Sequence, residues 1–187
     1  MEIPNYFRKI YSHDSIQMRS RELGAEINSW AQTVWNGTQQ DVLAIPVLRG
    51  GIFFFADLVR AVPSSMEIVP AQSWGYAVGI NGEQESAVSV QVEQVPADGR
   101  AILLIDDICD SGRTLQALTT ALKEKGAHEV RSAVLIHRML DDQKFTPDWI
   151  GFAYEGPEWF VGYGMEDAER WRNLPDIYTI EQEYAND

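Results

Sequence analysis

The stretch Ala101-Ile102-Leu103-Leu104-Ile105-Asp106-Asp107-Ile108-Cys109-Asp110-Ser111-Gly112-Arg113-Thr114 decides how the rest of the chain is read. Its first five residues are apolar without alternation, which suits a central strand covered on both faces. Such a strand belongs to a largely parallel sheet with helices on either side, an α/β fold. A helix is predicted from about Thr114 to Lys125, with Gly126 placed to end it. Ligands of these sheets bind outside the carboxyl ends of the strands, so the turn between strand and helix is where chemistry is expected.

Ser111 to Thr114 offer backbone N–H groups and two hydroxyls at a helix N-terminus, a ready phosphate site. Asp106 and Asp107 follow the strand directly, and neighbouring strand residues point to opposite faces. The two carboxylates are therefore expected to serve different tasks. One would face ligand hydroxyls or a hydrated Mg²⁺, the other a basic residue. The plainer reading, acids that cap and solvate the helix start, explains one acid. It explains three beside a phosphate-type loop poorly, since they would repel a bare phosphate; a metal or a sugar diol removes the conflict.

Working outward, Val42 to Val47 is a second buried strand, broken by Gly50-Gly51, and Ile52 to Val62 reads as a helix. In Leu48-Arg49-Gly50-Gly51, two glycines let the backbone approach an anion and Arg49 adds charge, although Gly-Gly is also an ordinary turn. Upstream, Ile16, Leu23, Ile27, Trp30, Ala31 and Val34 recur at helical spacing, predicting a helix near 14–35 capped by Asp14 or Ser15. Trp30 and Trp35 suit its packed face or a subunit contact. Glu67 to Ala71 is the next strand candidate, residues 73–86 read as a mobile loop, and Val88, Val90 and Val92 alternate as a half-exposed strand, followed by a turn at Pro96 to Gly99. Downstream, Val130 to Ile136, Trp149 to Tyr154 and Phe160 to Tyr163 are strand candidates, and Met165 to Trp171 a short helix. Residues 137–187 read as an appended cap.

The chain has 187 residues, which suits a single domain, and 45% are hydrophobic, enough for a real core. Lys plus Arg is 15 and Asp plus Glu is 28, a net charge of −13 that argues against nucleic-acid and anionic-membrane surfaces. The single cysteine, Cys109, excludes a disulfide within the chain and a cysteine-based zinc site, and suits a small packed residue better than a nucleophile. His13 and His128 read as surface residues. The N-terminus has neither a basic nor an apolar signal region, and the longest apolar stretch, around Ile52 to Ala56, is far short of a membrane span; a cytoplasmic location is expected.

Ile102 to Thr114 closely resembles the phosphoribosyl-pyrophosphate (PRPP) signature of type I phosphoribosyltransferases; the Walker and Rossmann glycine patterns are absent. Ile45 to Val62 resembles the pyrophosphate loop and following helix of the hypoxanthine (6-oxopurine) branch, and Asp148 to Ile177 its base-binding segment. The resemblance implies the type I phosphoribosyltransferase fold in one domain, 1–187, with a core of about 38–137 and a small hood from about 1–12 and 138–187. It implies Mg²⁺-dependent transfer of phosphoribose from PRPP to N9 of hypoxanthine or guanine, in a homodimer or homotetramer. Asp110 would serve as general base or acid at the purine N7. Asp106 and Asp107 would contact ribose and Mg²⁺, and Ser111, Gly112, Arg113 and Thr114 would hold the 5′-phosphate. Leu48, Arg49 and Gly50, with a cis peptide between the first two, and Arg172 would hold pyrophosphate. Ser73 and Trp74 match a Ser-Tyr pair on a loop that closes over the site; Trp74 lacks the hydroxyl.

This chain departs from the family pattern at the base. His137 stands where a Lys usually donates to the 6-oxo group. Either His137 takes that role, or Arg138 or a water does and His137 is a strand-end residue. Trp159 matches the aromatic that stacks on the base, with a core Trp as the plainer reading, and Phe160 stands where a smaller aliphatic is common. Glu166 matches an Asp near base and metal, which leaves Glu166 or neighbouring Asp167 for that role. Two alternatives stay open: a different acceptor such as xanthine, and a non-catalytic nucleotide-sensing regulator.

Overall fold

The computed structural model describes residues 2–69, 92–140 and 143–180. In chain order these form β1 (Arg8–Tyr11), α1 (His13–Thr38), β2 (Val42–Pro46), α2 (Ile52–Ala61), β3 (Met66–Ile68), β4 (Ala101–Cys109), α3 (Arg113–Glu124), β5 (Glu129–Arg138), β6 (Trp149–Tyr154), β7 (Trp159–Val161) and β8 (Ile177–Ile180). Five strands make a parallel sheet in the order β3-β2-β4-β5-β6, with the quoted stretch at its centre.

The unbroken apolar run of β4 is accounted for by what lies on each side of it. Ile102 and Leu104 pack with Leu115, Leu118 and Leu122 of α3 on one face. Leu103 and Ile105 pack on the other with Ile16, Leu23 and Ile27 of α1 and Phe54 and Leu58 of α2. Each side chain of this kind withdrawn from water contributes roughly 1.5–3 kcal/mol. The helices on that second face come very close: a Cβ on Gly24 of α1 would stand 2.6 Å from the Ala61 carbonyl oxygen of α2.

A second, three-stranded sheet joins the two ends of the described chain, in the antiparallel order β1-β8-β7. It corresponds to part of the expected hood. β6, which the sequence reading assigned to an appended cap, is instead the edge strand of the central sheet, because Ala133 to Arg138 of β5 offer it a free parallel edge.

Three other expectations change. The cap of α1 is Ser12, whose Oγ accepts from the Ser15 N–H at 3.2 Å, rather than Asp14 or Ser15. Met165 to Trp171 is not a helix: left-handed backbone at Ala168, Glu169 and Trp171 breaks helical geometry, and a bridge joins Asp167 to Arg170. Trp30 is buried, but Trp35 is exposed. The strand expected at Val88 to Val92 falls mainly outside the described residues; Val92 itself is buried and outside any strand. Among the described residues no helix is long and apolar enough to cross a membrane.

Candidate active site

From β2 the chain leaves toward β3, and from β4 toward β5, on the opposite side of the sheet. The carboxyl ends of β2 and β4 therefore flank the point where strand order reverses, where such sheets open a crevice. A cavity of about 310 Å³ lies there. Its walls are the turn after β2, the end of β4 with the loop into α3, Arg138 at the end of β5, and Trp159, Phe160, Met165, Glu166 and Arg172 from the C-terminal part.

The turn after β2 holds the cis peptide between Leu48 and Arg49. It is tied to β4 by the Val47 N–H, which donates to the Ile105 carbonyl at 2.8 Å. A side chain at position 50 would collide with the acid pair: a Cβ there would lie 1.9 Å from Asp107 Oδ2. The Gly50 carbonyl in turn occupies the place of a Cβ on Gly164, 2.0 Å away, so the C-terminal loop abuts the turn. α3 starts at Gly112 without a side-chain cap, and its first turn lines the crevice, whereas at the start of α2 the Gly51 and Ile52 N–H groups donate to the Val47 and Arg49 carbonyls. Gly112 is required twice over, by its φ of 76° and by Phe145 packed where a Cβ would go. Ser111, Arg113 and Thr114 line the cavity beside it.

β4 runs on to Cys109, because β5 pairs with it as far as His137, so Asp106 and Asp107 sit on the strand rather than in a loop. Both are buried and both line the cavity. The side chains do not part as expected: both acids line the one cavity, the Asp107 N–H donates to Asp106 Oδ1 at 2.9 Å, and the Asp107 carboxyl lies against the bare Cα of Gly50. Burial, then the Asp107 charge, pushes Asp106 well above the usual carboxylate range; burial also raises Asp107. A buried carboxylate pair of this kind has the oxygen donors that a divalent cation takes, and Mg²⁺ typically needs one or two carboxylates with the rest from phosphate and water. Glu166 is not brought to this pair. Its carboxylate lies 3.4 Å from the Arg172 guanidinium and accepts from the Glu169 N–H. Among the described residues no three His, Cys, Asp or Glu side chains gather to hold a metal.

Arg49 donates to both carboxylate oxygens of Glu169, at 2.8 and 3.0 Å, and Arg172 NH2 lies 3.9 Å from the same group. Arg172 also donates to the Gly164 carbonyl at 2.7 Å. Trp159 leaves its ring exposed at the cavity and donates from Nε1 to the Glu166 carbonyl at 2.7 Å, which favours a stacking surface over a core Trp. Phe160 is buried beneath it in the wall.

Asp110 is held by Arg138, whose Nε donates to Oδ1 at 2.7 Å. His137 is not among the cavity-lining residues. Its ring is buried, with Nε2 2.6 Å from the Gln143 amide nitrogen, which makes Nε2 the acceptor and the ring neutral. Burial lowers its pKa, against the Gln143 contact. Cys109 is buried too, and burial, with Asp106 and Asp110, pushes its thiol up to about 12, as a packed residue rather than a nucleophile requires. His13 and His128 are exposed. Ser73 and Trp74 lie outside the described residues.

Sequence reasoning passed over Glu169 and gave Arg138 only a substitute role at the base. It missed Asp57, which accepts from the Tyr163 hydroxyl at 2.5 Å and so ties the C-terminal loop to α2. The signal at hand was weak: Glu169 is an acid three residues before Arg172, and Asp57 an acid on an apolar helix.

Residues 13–167 match the family model of the phosphoribosyl transferase domain, which sets the class. The hypoxanthine-guanine phosphoribosyltransferase of Bacillus subtilis (strain 168) is 34% identical over 175 residues, covering 91% of each chain. That of Mycobacterium bovis is 33% identical over 173 residues, covering 90% of this chain and 83% of the relative. The chain belongs to the hypoxanthine-guanine phosphoribosyltransferase family. It also matches the bifunctional protein TilS/HprT of Listeria monocytogenes, 32% identical over 93% of this chain, and spans about a quarter (26%) of that protein's length. A solved hypoxanthine-guanine phosphoribosyltransferase of Bacillus anthracis is 25% identical, covers 96% of this chain and 99% of its own, and superposes with a TM-score of 0.74. A hypoxanthine phosphoribosyltransferase of Staphylococcus aureus, 22% identical and covering 94% and 92%, agrees in fold with a TM-score of 0.77.

Proposed function

We propose that this enzyme transfers the 5-phosphoribosyl group of PRPP to N9 of hypoxanthine or guanine, giving IMP or GMP and pyrophosphate in purine salvage. One observation carries the reading: a single crevice gathers the uncapped start of α3, a buried acid pair, Arg49 and Arg172, and an exposed Trp ring.

The free amides of Ser111 to Thr114 and their hydroxyls bind the 5′-phosphate. The turn from Leu48 to Gly50 binds the pyrophosphate end, with Arg49 and Arg172 answering its charge. As the bond from the ribose anomeric carbon to pyrophosphate breaks and the bond to N9 forms, positive charge develops on the sugar and negative charge on the leaving group. Asp106 and Asp107 would hold Mg²⁺, which when bound neutralises the pyrophosphate oxygens. Trp159 stacks on the base. Asp110 lies at the purine's edge and takes the proton that the ring gives up, at N7.

The acceptor's 6-oxo group meets water rather than His137, whose ring faces Gln143, while Arg138 is engaged with Asp110. The active form is a homodimer or homotetramer in the cytoplasm, and the exposed Ile52 and Phe53 on α2 support burial of that face against a second copy. Nucleotide formation from PRPP and Mg²⁺, measured with hypoxanthine, guanine, xanthine and adenine, tests the reading; turnover with at least one 6-oxopurine is expected, and none with any base refutes it. D110N lowers turnover by roughly 10²-fold or more; an unchanged rate removes Asp110 from the chemistry.

A further inference from the structure

We propose that Arg138 is a positioning residue for the transfer, one that sets Asp110 and the Trp159 stacking surface in a single frame. The proposal rests on the role given to Asp110 above.

Arg138 ends β5, and its guanidinium uses three sides of its fork. Nε donates to Asp110 Oδ1 at 2.7 Å, one terminal nitrogen to the Gly156 carbonyl, and the other to the Glu158 carbonyl at 3.0 Å. Its plane is fixed as well, with the Phe160 ring centre 4.8 Å and the Tyr154 ring centre 5.7 Å away. Asp110 differs sharply: its side chain is 55% exposed against 10% for Arg138. It sits at the start of the loop into α3. Among the described residues, Arg138 is the one group that hydrogen-bonds its side chain. An exposed carboxylate samples several rotamers unless something holds it, and here the holder is a buried, aromatic-walled cation.

The other two bonds end on the Gly156 and Glu158 carbonyls, in the short segment that leads into Trp159. The same planar group therefore fastens both the acid from the PRPP loop and the segment that carries the ring. Proton transfer at the purine's edge needs acid and base plane aligned within fractions of an ångström, and a misplacement of about 1 Å can cost on the order of 10²-fold. A lysine supplies a point charge and cannot satisfy three acceptors at fork geometry.

The test is a double-mutant cycle on the full chain with R138Q, R138K, D110N and the two double variants, each assayed for nucleotide formation. R138Q is expected to lower kcat about tenfold or more and to raise KM for the purine, while KM for PRPP stays within about twofold. In the D110N background the same change costs less than about twofold in kcat, because no acid is left to place. A loss that is equal in both backgrounds overturns the proposal, as does a parallel rise of both KM values with a lowered Tm, the mark of a merely structural tie. If R138Q fails to fold, R138K carries the cycle, with the same expectations. A fully active D110N would instead refute the role of Asp110, and this inference with it.

Discussion

Glu169 occupies the ground between Arg49 and Arg172 as an anion would. Its backbone is in the left-handed region, with φ of 62°, and both it and Arg49 are about two-thirds exposed, at 66% and 65%. Exposed pairs of this kind are weak, so under the proposed function an incoming pyrophosphate would displace Glu169 while competing with it. E169Q should bind pyrophosphate about two- to fivefold more tightly by calorimetric titration with Mg²⁺ present; an equal or weaker constant would show that Glu169 plays no such part. At this scale the sequence was informative about residue types and poor on partners. Asp110 and the glycine turn could be found by eye because their chemistry is local. That Asp110 pairs with Arg138, 28 residues away, and Arg49 with Glu169, 120 away, depends on which strand ends meet.

Secondary-structure elements were legible wherever one face or both were uniformly buried. The apolar spacing of α1 and the unbroken run of β4 match the two cores they fill. The segment after β7 was not legible, because its shape comes from glycines, left-handed residues and the Tyr163–Asp57 bond rather than from periodicity. Asp176, at the entry to β8, shows what such contacts do. It accepts from the His13 N–H at 2.8 Å at the start of α1 and pairs with Lys9 of β1 at 2.5 Å. Burial raises its pKa, but the Lys9 and His13 bonds outweigh it, so the folded value lies below the ordinary one. A depressed carboxylate stabilises the fold above its unfolded pKa of about 3.9, and that contribution disappears as pH falls through the folded value. D176N should therefore destabilise by about 1 kcal/mol near pH 7. The gap in Tm between variant and parent should narrow below about pH 4; a gap independent of pH would refute this account.

Across the whole molecule, the crevice is built from β2 and α2, β4 and α3, the end of β5 and the C-terminal loop, so a bound ligand bridges every layer. A ligand that binds only the folded form at about a hundred times its Kd adds roughly 2.7 kcal/mol. For a chain of this length, PRPP with Mg²⁺ at that level should raise Tm by roughly 5–10 °C, with a much smaller rise when EDTA replaces the metal. Equal shifts in both would count against the acid pair as the metal's seat. The sequence by itself determined the parallel sheet, the central strand and the two glycine-bearing turns at the strand ends, because burial patterns and glycine turns are local properties. Tertiary structure alone decided that β6 joins the sheet, that both acids line one cavity with Asp107 against Gly50, that His137 turns away while Arg138 faces the cavity, and which acids answer which arginines. Those outcomes depend on contacts between residues far apart in the chain, whose energies exist only once the strands have taken their order.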